Sequence, residues 1–230
     1  MFSPEVVVPV LLSLRVAVLA VIFVFITGVP VARLMAGRYF PGKDVLEVIL
    51  TLPLVLPPTV VGFGLLFLFG KQGPLGRLLE NLWGLSVVFN WWGAVIASTV
   101  VAFPLLYQTV RASFQAVDKN IENGARALGA SEWHVFWTLS LPLAWPGLVA
   151  GVVMAFARAL GEFGATLMLA GNIPGRTQTV PLAIYVATES GNNRTALVLV
   201  GLMTLMSFAT IFWVNLWGKR RMKGCYSSDR

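Results

Sequence analysis

Five long stretches of this chain contain no charged residue, and their spacing constrains the fold more than any other feature. No Asp, Glu, Lys or Arg occurs between Arg15 and Arg33, Glu47 and Lys71, Glu80 and Arg111, Glu132 and Arg158, or Arg194 and Lys219. A helix needs roughly 20 apolar residues to cross the hydrocarbon core of a bilayer. The runs predict an all-α integral membrane protein, one transmembrane domain over 1–230, with spans at about 8–34, 46–69, 91–115, 143–170 and 195–217. Composition agrees: 57% of the 230 residues are hydrophobic and 12% charged, too little polar surface for a water-soluble globule. A disordered chain, a disulfide scaffold and an ordinary soluble enzyme are excluded. The first run is too long for a removed signal peptide and lacks its basic start and small-residue cleavage site. Pro181 to Thr188 is apolar but too short to cross, and predicts an interfacial helix.

Five spans put the termini on opposite sides. With the N-terminus outside, the inner segments hold Arg33, Arg38, Lys43, Arg111, Lys119, Arg126, Lys219, Arg220, Arg221, Lys223 and Arg230. The outer segments then hold only Lys71, Arg77, Arg176 and Arg194, so the positive-inside rule predicts an outer N-terminus and a cytoplasmic C-terminus. The net charge of +7 would suggest nucleic acid in a soluble domain. Its densest run follows the last span directly and reads instead as a juxtamembrane anchor to lipid, with no nucleic-acid partner. Cys225, the single cysteine, lies in that tail and can form no intrachain disulfide. His134 stands alone and predicts a surface residue, so no metal site is expected.

Gly37 to Lys43 fits G-x-x-x-x-G-K, but Asp44 stands where a P-loop needs Ser or Thr, and a membrane helix precedes it in place of a strand. A basic turn bending at Pro41-Gly42 is the better reading, and this chain is expected to hydrolyse no ATP itself. Between the third and fourth spans lies the longest inner loop, 116–142. Loops of that length inside a compact chain are usually functional. Ile121, Ala125 and Leu128 share one face of a short helix, with Glu122 and Arg126 elsewhere on its surface. Gly129 supplies its stop, and Ser131 caps a second helix with Trp133, Phe136 and Trp137 on its apolar side.

Gly-Ala-Arg-Ala-Leu-Gly-Ala-Ser at 124–131, followed by Leu139-Ser140-Leu141-Pro142, resembles the EAA loop of ABC importer permeases. Gly129 and the Leu-x-Leu-Pro ending fall at the family's separation. Asn123 replaces its Glu, Gly124 its first Ala and Leu139 its Ile, with Glu122 as a neighbouring carboxylate. The resemblance implies that Asn123, Gly124, Ala125 and Gly129, with Glu122, Arg126 and Leu128 beside them, contact a cytoplasmic ATPase subunit and pass its closure to the spans. It also implies a second copy of this chain, two ATPase subunits that bind the ATP and magnesium, an extracytoplasmic binding protein, and a bacterial or archaeal cytoplasmic membrane. No cofactor is expected in this chain.

Four further stretches narrow the resemblance: Phe40 to Lys43, Leu52 to Gly62, Phe156 to Thr166 and Asn172 to Gly175 are similar to molybdate importer permeases. Sulfate permeases share much of the layout and differ in the last two, and tungstate is not separable from molybdate. On physical grounds Pro53, Pro57 and Pro58 must kink or break the second span. Pro57 and Pro58 are candidates for a hinge or path lining, and a rigid buried kink is equally compatible. Arg158 and Glu162 fall near the middle of the fourth span, one turn apart, where a lone charge costs roughly 2.5–3.5 kcal/mol. They read either as a self-neutralising pair or as a weak station for a divalent oxyanion. Arg15 reads as an interface anchor, Trp83, Trp91 and Trp92 as an outer aromatic belt, and Gly147 with Gly151 as a close helix contact. An ion-coupled secondary transporter would bury more carboxylates and often repeat internally. Only Glu162 qualifies, and no repeat is visible.

Overall fold

A computed structural model describes residues 4–37 and 39–226, with side chains described as far as residue 212. The side chains of the basic tail and of Cys225 lie outside the described residues, as does Arg38. Every element found is helical: α1 Pro4–Gly37, α2 Lys43–Val55, α3 Pro58–Phe69, α4 Pro74–Trp83, α5 Trp91–Gln115, α6 Lys119–Ala127 and α7 Glu132–Val135. A π-helical turn, Phe136–Ser140, joins α7 to α8 Leu141–Leu160, and α9 Gly164–Ala170, α10 Val180–Glu189 and α11 Asn193–Tyr226 follow. Four helical stretches are long and apolar enough to cross a membrane, and the broken pair α2–α3 brings the number to five.

The core is α5 packed between α1 and α8. Ala17, Ala20, Val24, Ala102, Leu106, Tyr107, Leu148 and Ala155 are buried in one cluster. Small residues bring the backbones together, because lipid tails supply no hydrophobic drive and close van der Waals contact must replace it. A Cβ on Gly147 would fall 2.5 Å from Ser113 Cβ, and one on Gly151 3.2 Å from Val110 Cγ2. The expected contact of that glycine pair is therefore present.

Two spans are broken. Leu56 and Pro57 each precede a proline, whose ring drives the preceding residue out of the helical region. Their ψ angles are 141° and 137°, and Pro58 then opens α3 at an angle of 115° to α2. The expected break is thus sharper than a kink. The pair still travels the length of α5: Glu47 on α2 reaches Arg111, while Val61 and Leu65 on α3 join Ala97 and Val101.

The expected continuous fourth span, 143–170, needs correction. Helix α8 stops at Leu160, and α9 resumes only at Gly164. Both pieces follow α5, with Gly147 beside Ser113 and Gly93 beside Leu169, so the break falls near the middle of α5. Gly161 sits at φ −88°, ψ 11° and Phe163 at φ −127°, ψ −61°, neither of them helical. The sequence pattern hid the break because no proline or charge run marks it.

Arg15 lies on Trp91, 4.5 Å from the ring centre, and His134 is exposed. The short apolar segment after Pro181 is the helix α10, with Val180, Leu182, Ala183 and Ala187 buried. Pro41-Gly42 is a turn with Gly42 at φ 84°, and the Lys43 ammonium lies over Tyr39 and 3.9 Å from Glu47. That lysine is occupied, and the segment follows a helix, so it has neither the strand nor the free ammonium of a P-loop.

Candidate functional site

Helix α6 stands at the end of the bundle where α1 and α5 finish. Asp118 caps it by accepting the Asn120 amide at 2.8 Å, and Gly129 ends it at φ 88°. Ala130 donates back to the Ala125 carbonyl at 3.1 Å, closing the turn. Ser131 then caps α7 through the His134 amide, as its position in the sequence predicts.

The apolar residues of α6 face outward and a carboxylate faces inward. Glu122 is its one buried side chain among the described residues, while Ile121 is half exposed and Leu128 is 91% exposed. The carboxylate is what holds the helix down. Glu122 Oε1 accepts from Arg33 Nη2 at 3.1 Å and from the Ser140 hydroxyl. Burial pushes the Glu122 carboxyl up, but Ser140, Arg33 and Arg126 together outweigh it and hold its pKa below the ordinary value. Arg126 spans α6 and α7: its Nη2 donates to Glu132 Oε2 at 3.1 Å and its Nη1 to Asn123 at 2.9 Å. The hydrogen bond and charge of Glu132 raise the Arg126 pKa, and Arg126 lowers that of Glu132 in return.

The outward surface of α6 is accordingly made of Ile121, Asn123, Gly124, Ala127 and Leu128, with Gly129 after it. A Cβ on Gly124 would meet nothing within 4 Å. Trp133 and Trp137 are also exposed, and of the expected apolar side of the second helix only Phe136 is partly buried. An exposed apolar strip on a short, capped, ion-braced helix suits a protein partner better than water.

The second locality is the meeting of the two breaks. A Cβ on Gly164 would lie 3.1 Å from Pro58, and one on Gly62 2.8 Å from Ala165 Cα, so α3 and α9 start side by side. Glu162, expected on a helix face, lies in the gap and caps α9: its Oε1 accepts the Ala165 amide at 2.9 Å. Its Oε2 lies 2.7 Å from Arg158 Nη1 as an ion pair without the alignment of a hydrogen bond. The Glu162 side chain is 1% exposed and that of Arg158 28%. Glu162 is thus occupied by backbone and guanidinium together, and only Arg158 has an open side. Pro57, Pro58, Arg158 and Glu162 occupy one neighbourhood, whereas the α6 group sits at the end of the bundle.

The family model for a binding-protein-dependent transport system inner membrane component matches residues 28–224. The chain belongs to this family. Among relatives of this inner membrane component, the molybdenum transport system permease protein ModB of Escherichia coli (strain K12) is 46% identical over 198 residues, covering 84% of this chain and 86% of its own length. A Bacillus subtilis (strain 168) protein named for molybdenum transport, YvgM, is 51% identical over 207 residues, covering 90% of this chain and 91% of its own. In fold, the chain is similar to a bacterial ABC transporter involved in import of the acidic polysaccharide alginate, at TM-score 0.77 and 15% identity, covering 95% of this chain and 80% of that one.

Among the ionic links that sequence reasoning missed in this inner membrane component, two join elements far apart in the chain. Arg33 on α1 meets Glu122 and Ser140, and Arg111 on α5 meets Glu47 on α2 at 2.8 Å. No local pattern could have found them, since Arg33 lies 89 residues from Glu122 and 107 from Ser140. The available signal was indirect: a lone arginine within the last turns of an apolar span needs a partner or an interface.

Proposed function

We propose that this chain is the membrane-spanning subunit of an ATP-driven importer that carries molybdate into the cytoplasm. Similarity over most of the chain to permeases named for molybdenum transport, at 46% and 51% identity, carries the reading. The chain is read as one permease domain with its N-terminus outside, following the positive charge of its inner loops. Two copies would enclose the path, two ATPase subunits would lie beneath, and an outer binding protein would deliver the anion. Helix α6 offers Ile121, Asn123, Gly124 and Leu128 to the ATPase, while Glu122 and Arg126 brace it from behind. The paired breaks at Pro57-Pro58 and Gly161–Phe163 form the deformable middle of the path wall, because non-helical backbone at that depth gives each half-helix its own freedom.

The test is uptake of labelled molybdate, tungstate and sulfate by vesicles holding the reconstituted complex and its binding protein. ATP-dependent molybdate uptake is expected, with tungstate competing and sulfate weaker. Uptake driven by an ion gradient without ATP would replace this reading with a secondary transporter. Preferred sulfate uptake would move the substrate to the related oxyanion.

A further inference from the structure

Helix α6 rests on the bundle through very little. Glu122 is its one buried side chain among the described residues and reaches α1 and the start of α8, while the Arg126–Glu132 pair ties the helix to α7. On the far side of that carboxylate stand two groups from two spans. Arg33 belongs to α1, and Ser140 immediately precedes the first residue of α8. Arg33 Nη2 lies 3.1 Å from Glu122 Oε1 and 3.4 Å from Ser140 Oγ, so the three groups form a closed triangle.

The guanidinium is held from a further direction. Its carbon lies 5.4 Å from the ring centre of Phe114 on α5 and 5.9 Å from that of Phe136 in the π-helical turn. Phe114 and Phe136 also touch each other, with ring centres 6.2 Å apart. A planar guanidinium stacks on such rings and fixes its donors in a fork, which an ammonium on a flexible stem does not do. Arg33 therefore contacts α1's own span, the end of α5, the approach to α8 and, through Glu122, α6.

We infer that Arg33 is the positioning residue of the transport cycle, the post through which displacement of α6 reaches α1, α5 and α8 together. This rests on the reading of α6 as the ATPase-docking helix. A helix attached only by its flanking loops would swing when pushed, and its motion would be lost in the turn at Gly129. Anchored at Glu122, it draws on all three spans when it moves. The open strip of Ile121, Gly124 and Leu128 faces the partner while the charged triangle faces the bundle, so thrust enters on one side and leaves on the other.

The experiment uses the assembled complex in vesicles and reads molybdate taken up per ATP hydrolysed, with complex integrity followed by size exclusion. Arg33→Ala is expected to lower that ratio about 5- to 10-fold with the ATPase still bound and turning over, within the usual span of coupling between sites. Arg33→Lys, which keeps the charge but not the planar fork, is expected to give an intermediate ratio, and Glu122→Gln to resemble Arg33→Ala. An unchanged ratio in Arg33→Ala overturns the inference, and so does loss of assembly in both Arg33 variants. Failure of the underlying reading is separable: Gly124→Trp and Leu128→Asp would then leave ATPase docking intact. If those two abolish docking while the Arg33 variants leave the ratio unmoved, α6 is the docking helix and Arg33 is not its post.

Discussion

Replacing Glu162 with alanine removes two interactions of different kind, and their sizes decide what Glu162 is for. Its Oε1 caps α9 through the Ala165 amide at 2.9 Å. Such a cap contributes about 1 kcal/mol, and a helix of only seven residues has little else of its own to hold it. Its Oε2 neutralises Arg158 at 2.7 Å. Leaving that cation unpaired near the middle of a span costs roughly 2.5–3.5 kcal/mol on insertion scales. Because Arg158 is 28% exposed, it can bend toward its open side and recover part of this. The expected loss for Glu162→Ala is therefore about 2–4 kcal/mol. Glu162→Gln keeps an acceptor for the Ala165 amide and loses only the charge, so it should lie about 1 kcal/mol above Glu162→Ala. Adding Arg158→Gln to Glu162→Gln removes the orphan cation and should restore stability. Unfolding of the purified protein in detergent, run as a double-mutant cycle, gives the coupling, expected at about 1–3 kcal/mol. Molybdate uptake per folded complex should stay near the wild-type value in Glu162→Gln. Wild-type stability with lost uptake would refute this reasoning and put the pair on the anion's route.

Further outcomes follow from other contacts. Gly62→Val would press Cβ to 2.8 Å from Ala165 Cα and from Met168 Cβ, forcing the two breaks apart at about 1–3 kcal/mol, with uptake falling alongside thermal stability. Gly147→Ala should destabilise the α5–α8 contact, whereas Gly201→Ala, with nothing within 4 Å, should be neutral or slightly stabilising in the same melt. Gly129→Val strains a backbone at φ 88° by about 1–2 kcal/mol, and amide exchange over α6 should accelerate without global unfolding. Glu122 ionises below its ordinary value in the folded chain, so its contribution is complete above pH 4.5 and is lost as pH falls through the lowered folded value. Protection of the α6 amides, taken relative to their intrinsic exchange rate at each pH, should therefore fall on acidification below pH 4.5, and Glu122→Gln should abolish that fall.

The membrane class, the approximate spans and the cap of α7 were legible because each depends on neighbouring residues. Pro57-Pro58 announced the break in the second span for the same reason: ring geometry acts on the preceding residue alone. The break at Gly161–Phe163 was not legible, since it is stabilised by packing on Pro58 and Thr59 from another element. Periodicity put Ile121, Ala125 and Leu128 on one helix face but did not say which way that face turns. The direction is set by the Glu122 carboxylate, which meets an arginine and a serine from other elements. Helix α6 was thus readable as a helix, and its orientation depended on partners far away in sequence.

The π-helical turn at Phe136–Ser140 carries one residue more than an α-helical turn would need, and each helical residue sets about 100° of rotation. That surplus fixes the angular phase between α7 and α8 as a peg fixes a dial. A relative lacking one residue in this turn would present Ser140 on another side of the helix, away from Glu122 and Arg33. Chain length at 136–140 is therefore under tighter geometric control than residue identity there. Single-residue deletions in that turn should disturb the link between loop and membrane more than most substitutions in it.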